Sequence, residues 1–154
     1  MVTDLNKINA FLGESNAIEG IRRVVTHAEI DAATHFLGLP TVTVDDLNAA
    51  QLVFAPRRPL RDRPGMDVRV GDYVAPPGGP EIVTRLSEIL DIAHKGDDPW
   101  QLHIAFETLH PYIDGNGRTG RLLWAWHMQR LGRDPFALPF LHRFYYQTLE
   151  HVGR

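Results

Sequence analysis

The sequence predicts an all-α domain interrupted by one short β-hairpin, and three observations carry that prediction. Apolar residues recur at helical spacing in a succession of segments, each bounded by residues that start or stop helices. One stretch, residues 56 to 80, is so rich in proline, glycine and arginine that no helical period survives in it. The composition is that of an ordinary globule: of 154 residues, 44% are hydrophobic and 23% charged, and none is cysteine. That length suits one domain, 1 to 154, with its own core. Without cysteine there is neither a disulfide framework nor thiolate chemistry. A net charge of −3 disfavours non-specific nucleic-acid binding. No run of about eighteen apolar residues offers a membrane span and no basic-then-apolar leader opens the chain, so a cytoplasmic protein with no nucleic-acid or membrane partner is expected.

The first helix covers residues 4 to 19, with Asp4 as cap, Leu5, Ile8, Phe11 or Leu12, and Ile18 on one side, and Gly20 as a left-handed stop. Near its end Ser15 and Glu19 are four apart and share a face. Thr26 and Glu29 form a capping box for a second helix holding Ile30, Ala33 and Phe36 or Leu37, ended by Gly38 and Pro40. Thr43 with Asp46 opens a third, carrying Leu47, Ala50 and Phe54. In the proline-rich stretch, Val68, Val70, Tyr73 and Val74 flank Gly71-Asp72, the pattern of a tight hairpin closed by Pro76-Pro77. Arg57, Arg58, Arg61, Arg63 and Arg69 read as a solvated face. Pro80 and Glu81 open a fourth helix with Ile82, Leu86, Ile89 or Leu90, and Ala93. Lys95-Gly96-Asp97-Asp98-Pro99 is a stop followed by a fresh start, with Asp98 as cap. The fifth helix holds Leu102, Ala105 or Phe106, and Leu109, and delivers His110 at its end; His103, on the same side, reads as structural. A sixth helix, from about Thr119, is strongly apolar through Leu122, Leu123, Trp126 and Leu131, so it is expected to be central, with Gly132 as its cap. A final helix from Pro139 to about His151 carries Phe140, Phe144, Tyr145, Tyr146 and Leu149.

Between the fifth and sixth helices lies the stretch His110-Pro-Tyr-Ile-Asp-Gly-Asn-Gly-Arg-Thr-Gly-Arg121, around which the rest is organised. Gly115, Gly117 and Gly120 let backbone turn sharply and approach a ligand closely. The helix that follows points free N–H groups and a positive dipole end at the loop, which suits phosphate. Arg118 and Arg121, three apart, sit on one face if both lie in the first turn and can fork onto adjacent phosphates. Asp114 offers a hard oxygen ligand, and magnesium held with phosphates needs only one or two carboxylates. Pro111 disfavours helix at His110, so the imidazole should stand where the helix breaks, able to take a proton near neutral pH.

His-Pro-aromatic-x-Asp-Gly-Asn-Gly-Arg-x-x-Arg resembles the signature of the Fic family, departing only at Tyr112, where the family usually has Phe. The resemblance implies a helical domain of about seven to eight helices with a hairpin flap, and transfer of AMP from ATP to a protein hydroxyl. It implies His110 as base, Asp114 as Mg²⁺ ligand, Asn116 with neighbouring backbone N–H groups at the α-phosphate, and Arg118 and Arg121 at the β and γ phosphates. The hairpin, through Val70 and Gly71, would cover the nucleotide and align a target segment, and Tyr145 and Tyr146 would contact the purine. Ser15-Asn-Ala-Ile-Glu19-Gly20 is similar to the family's inhibitory motif, by which residues 4 to 20 form an inhibitory helix and Glu19 pairs with Arg121 where the γ-phosphate should sit. The intact Gly115-Asn-Gly-Arg118 favours AMP transfer over transfer of other phosphoryl groups.

Two alternatives stand beside this reading. The same site, with Glu19 positioning a water, is also suited to removing AMP from a modified target. A non-catalytic, nucleotide-responsive binding module is the other, although it has no need of His110. The partners expected are ATP and a protein with an exposed Tyr, Thr or Ser loop; self-modification and homo-oligomerisation are compatible with the sequence, which names neither the target nor the signal that relieves inhibition.

Overall fold

A computed structural model describes residues 4 to 96 and 98 to 137. Among the described residues six α-helices follow one another: α1 Leu5–Ile18, α2 His27–Leu37, α3 Val44–Phe54, α4 Pro80–Lys95, α5 Pro99–Leu109 and α6 Asn116–Arg130. Between α3 and α4 lies an antiparallel hairpin, β1 Arg69–Val70 and β2 Tyr73–Val74, with Arg69 opposite Val74 and Val70 opposite Tyr73. The helical class with one hairpin is therefore the observed architecture. The final helix expected from Pro139, with Tyr145 and Tyr146, lies outside the described residues.

Local capping chemistry sets four of the six helix starts among the described residues. Asp4 accepts from Asn6 and Lys7 N–H at α1, and Asp98 accepts from Trp100 and Gln101 N–H at α5. Thr26 with Glu29 and Thr43 with Asp46 close reciprocal capping boxes on α2 and α3. Helix α6 begins at Asn116, three residues earlier than the sequence suggested. Gly115, at φ 79°, makes the reversal just before it, so no further residue is spent on the turn.

One apolar cluster draws on all six helices, with Leu12, Phe36, Leu47, Leu86, Phe106 and Leu122 among its most buried members. Helix α6 packs against α1, α2, α3 and α5, which accounts for its apolar composition. Its first turn is thereby held at the meeting point of α1, α3 and α5. No helix among the described residues is long and apolar enough to cross a membrane.

Candidate active site

Helix α5 ends on His110, which has left-handed backbone angles, φ 50° and ψ 61°. For a residue with a Cβ that conformation costs roughly 1–2 kcal/mol, and Pro111 blocks the helical alternative. Four successive carbonyls at the end of α5, Thr108 to Pro111, find donors from outside the helix. Tyr73 Oη donates to Thr108, Arg61 Nη2 to Leu109 at 2.9 Å, Arg61 Nε to His110 at 2.8 Å, and the Arg61 backbone N–H to Pro111 at 2.9 Å. Hydrogen bonds to a charged group contribute about 1.5–3 kcal/mol apiece, so the arrangement outweighs the strain it imposes.

This overturns the reading of Arg61 as part of a solvated face. Its side chain is 0% exposed, whereas Arg57, Arg58, Arg63 and Arg69 are exposed as expected. Five N–H donors in a rigid fork suit Arg61 to a run of carbonyls in a way that composition does not reveal. Burial draws the guanidinium below its ordinary pKa, and the Asp67 carboxylate pulls it back.

The loop after His110 is bound from both sides. Ile113 N–H donates to Pro59, and Leu60 bridges Tyr112 in antiparallel fashion. Gln51 Nε2 on α3 donates to the backbone carbonyls of Arg58 and Asp114. Tyr112 is fully buried, and its hydroxyl donates to Asn48 Oδ1 at 2.6 Å, the partner that a Tyr in place of Phe requires. Burial pushes its phenol well above the usual range. Asn116 closes the loop on itself: Oδ1 accepts from Tyr112 N–H and Nδ2 donates to the Tyr112 carbonyl, both at 2.8 Å. Its carboxamide thereby braces the turn.

Helix α6 has no side-chain cap, so the N–H groups of its first turn lack intrahelical partners and face an anion favourably. Asp114 is exposed, with Oδ1 accepting from Gly115 N–H at 2.7 Å. One hard carboxylate beside helix amides and the space for a phosphate suits magnesium, whose remaining ligands come from phosphate and water. The two arginines donate to different elements, while both lie within electrostatic reach of Glu19. Arg118 Nη1 donates to the Phe54 carbonyl of α3; burial lowers its pKa, and Asp114 and Glu19 raise it. Arg121, 0% exposed, turns to α1 instead: Nε donates to Ser15 Oγ at 2.7 Å, and Nη2 to the Ser15 carbonyl and to Glu19 Oε1, both at 2.9 Å. The Glu19 carboxylate presses so closely on Gly117 that a Cβ there would collide with Oε1.

His110, Asp114, Gly115, Asn116 and Gly117 line one cleft of ≈ 250 Å³ with Ile113, Glu19, Glu107 and the hairpin residues Arg69 and Val70. Gly71 stands at the exposed hairpin turn, and Ser15, Arg118, Gly120 and Arg121 lie behind the walls. A family model described as Fic/DOC family matches residues 41–128, more than half of the chain and the whole of this loop. The chain belongs to the Fic/DOC family. It is 29% identical over 171 residues to protein adenylyltransferase fic-1 of Caenorhabditis elegans, an alignment spanning 97% of this chain and 33% of that protein. The chain thus spans about a third of that relative's length. A solved structure of C. elegans Fic-1 superposes with a TM-score of 0.67 at 22% identity, covering 99% of this chain and 59% of that one, a likeness of fold.

Three features of this Fic domain are not signalled by its motif. Arg61 is one. A second is Glu29, whose capping role was legible but whose other partners were not: it accepts from Asn16 Nδ2 at 3.0 Å and from Arg23 Nη1 at 2.6 Å, fastening the end of α1. Burial raises its pKa, yet the bonds from Asn16, Arg23 and Thr26 outweigh this and hold it at about 2. The third is Glu107, buried 3.9 Å from His103 Nε2 and against the Cα of Gly120, while His103 Nδ1 lies 3.2 Å from the Gly120 carbonyl. His103 is accordingly structural, tying α5 to α6.

Proposed function

We propose that this chain is a magnesium-dependent protein adenylyltransferase restrained by its own helix α1. The observation that carries the reading is the cleft on which His110, Asp114, the first turn of α6 and the hairpin converge. A target hydroxyl held against the hairpin gives its proton to the His110 imidazole while its oxygen attacks the α-phosphorus of ATP. The bond from that phosphorus to the bridging oxygen breaks, and diphosphate leaves with the electron pair. Backbone amides of Asn116 and Gly117, at the first turn of α6, stabilise charge developing on the α-phosphate oxygens. Asp114 would hold magnesium, which when bound would supply charge neutralisation for the departing diphosphate. Pairing with an exposed hairpin edge needs only backbone from the target, so a loop of ordinary sequence can serve. Naming of the C. elegans relative as a protein adenylyltransferase supports this reading.

Restraint is supported by Glu19. Its carboxylate, 24% exposed, engages the guanidinium of Arg121 and crowds Gly117 at the end of the phosphate site. With Glu19 among its walls, the cleft of ≈ 250 Å³ falls below the roughly 300–1,000 Å³ of small-molecule sites.

The test is incubation of labelled ATP and magnesium with cell lysate and wild type, Glu19→Gly, or Glu19→Gly with His110→Ala. Label should enter protein with Glu19→Gly alone and vanish with His110→Ala. ATP binding by Glu19→Gly without any labelling, itself included, would sink the transferase reading. Glu19, as a carboxylate on the cleft wall, also favours a second activity at the same site, hydrolytic removal of AMP from a modified target, which release of AMP by wild type but not by Glu19→Gly would reveal.

A further inference from the structure

Four consecutive carbonyls, Thr108 to Pro111, are taken by donors from only two residues, and both belong to the segment between α3 and α4. The other end of the Arg61 fork reaches the hairpin. Nη1 donates to the Met66 carbonyl at 3.0 Å and to the Pro76 carbonyl at 2.8 Å, one on each side of β1 and β2. A single buried guanidinium thus closes the base of the hairpin loop and fixes the left-handed turn that aims His110. A planar fork cannot make these bonds in two different arrangements, so the hairpin and the histidine are held in one relative position. Lysine would carry the charge but not the fork.

Building on the transferase reading above, we propose that Arg61 is a positioning residue for AMP transfer, with Tyr73 as its lesser partner: together they set the distance between the hairpin that holds the target and the imidazole that takes its proton. Neither residue lines the cleft, so neither is assigned to nucleotide binding. The step affected is the attack, which depends on the target hydroxyl, His110 and the α-phosphorus being in line.

The experiment compares Arg61→Lys and Tyr73→Phe in the Glu19→Gly background, reading the rate of lysate labelling at saturating ATP and magnesium, and separately the affinity for labelled ATP. Arg61→Lys should slow labelling at least about tenfold, and Tyr73→Phe about two- to fivefold, with ATP affinity within about twofold of the parent in both. Loss of ATP affinity in proportion to the rate overturns the proposal, as does an unchanged rate per folded molecule. If Arg61→Lys does not fold, Tyr73→Phe decides alone by the same criterion. If the Glu19→Gly parent itself labels nothing, the transferase reading fails first, and amide hydrogen exchange decides the clamp. Faster exchange at both His110 and Ala75 in Arg61→Lys, with α2 unchanged, upholds it; no joint change there overturns it.

Discussion

Glu19 Oε1 lies 2.9 Å from Arg121 Nη2 and directly against the Cα of Gly117. Under the proposed function, those contacts make Gly117 the point where Glu19 and the nucleotide would compete for one space. A methyl group at Gly117 would collide with Glu19 Oε1 and stand 3.0 Å from Arg121 Nη1. Gly117→Ala is therefore expected to dislodge Glu19 without admitting nucleotide. Calorimetric titration should show ATP binding at least about tenfold weaker for Glu19→Gly/Gly117→Ala than for Glu19→Gly. Tight ATP binding by Gly117→Ala alone would mean that the phosphates lie elsewhere.

Helix α1 is fastened by a second contact away from the cleft. Asn16, one residue beyond Ser15, holds Glu29 with Arg23. Asn16→Ala is expected to destabilise by about 1–2 kcal/mol and, by loosening the end of α1, to raise ATP affinity while Glu19 and Arg121 stay intact. Urea unfolding and ATP titration check the two halves of this outcome.

The Glu29 carboxyl is held at about 2 against an ordinary 4.5. Between these values the unfolded chain binds the proton and the folded chain does not, so stability falls as pH falls. The contribution, about 3 kcal/mol, is present in full above the unfolded pKa and is lost as pH drops from near 4.5 toward 2. Urea midpoints measured down that range should decline steeply for wild type and more gently for Glu29→Gln, whose amide does not titrate.

Small residues along α1 and α6 are not equivalent. A Cβ on Gly120 would run into Glu107 Oε1 and come within 2.7 Å of Phe106 Cδ1, a ring with no exposed surface. Gly120→Ala should cost about 1–3 kcal/mol. At Gly13 the nearest outside atom is Val25 Cγ2 at 3.8 Å, and Gly13→Ala should instead stabilise by about 0.5–1 kcal/mol. Thermal unfolding of the pair distinguishes helix propensity from packing.

Tyr112 and Asn48 form a matched pair. Tyr112→Phe leaves Asn48 Oδ1 without its 2.6 Å donor, for an expected loss of about 1–2 kcal/mol. In a double-mutant cycle with Asn48→Ala, the second change should cost less once the first is made.

Much of this protein was determined by interactions that close within three or four residues. Asp4, Thr26 with Glu29, Thr43 with Asp46 and Asp98 cap their helices through neighbours in sequence, so the helix starts were legible without a fold. The cleft residues His110, Asp114, Gly115, Asn116 and Gly117 were legible for the same reason: one contiguous loop carries them. Tertiary structure alone decided which donors meet which acceptors across the chain. Arg61 meets a helix end 48 residues away, Arg118 turns to Phe54, and the Asn116 amide faces inward to Tyr112 instead of outward. A guanidinium or carboxamide has the same composition signal whether solvated or buried. Its place depends on carbonyls that only packing of distant segments brings within reach.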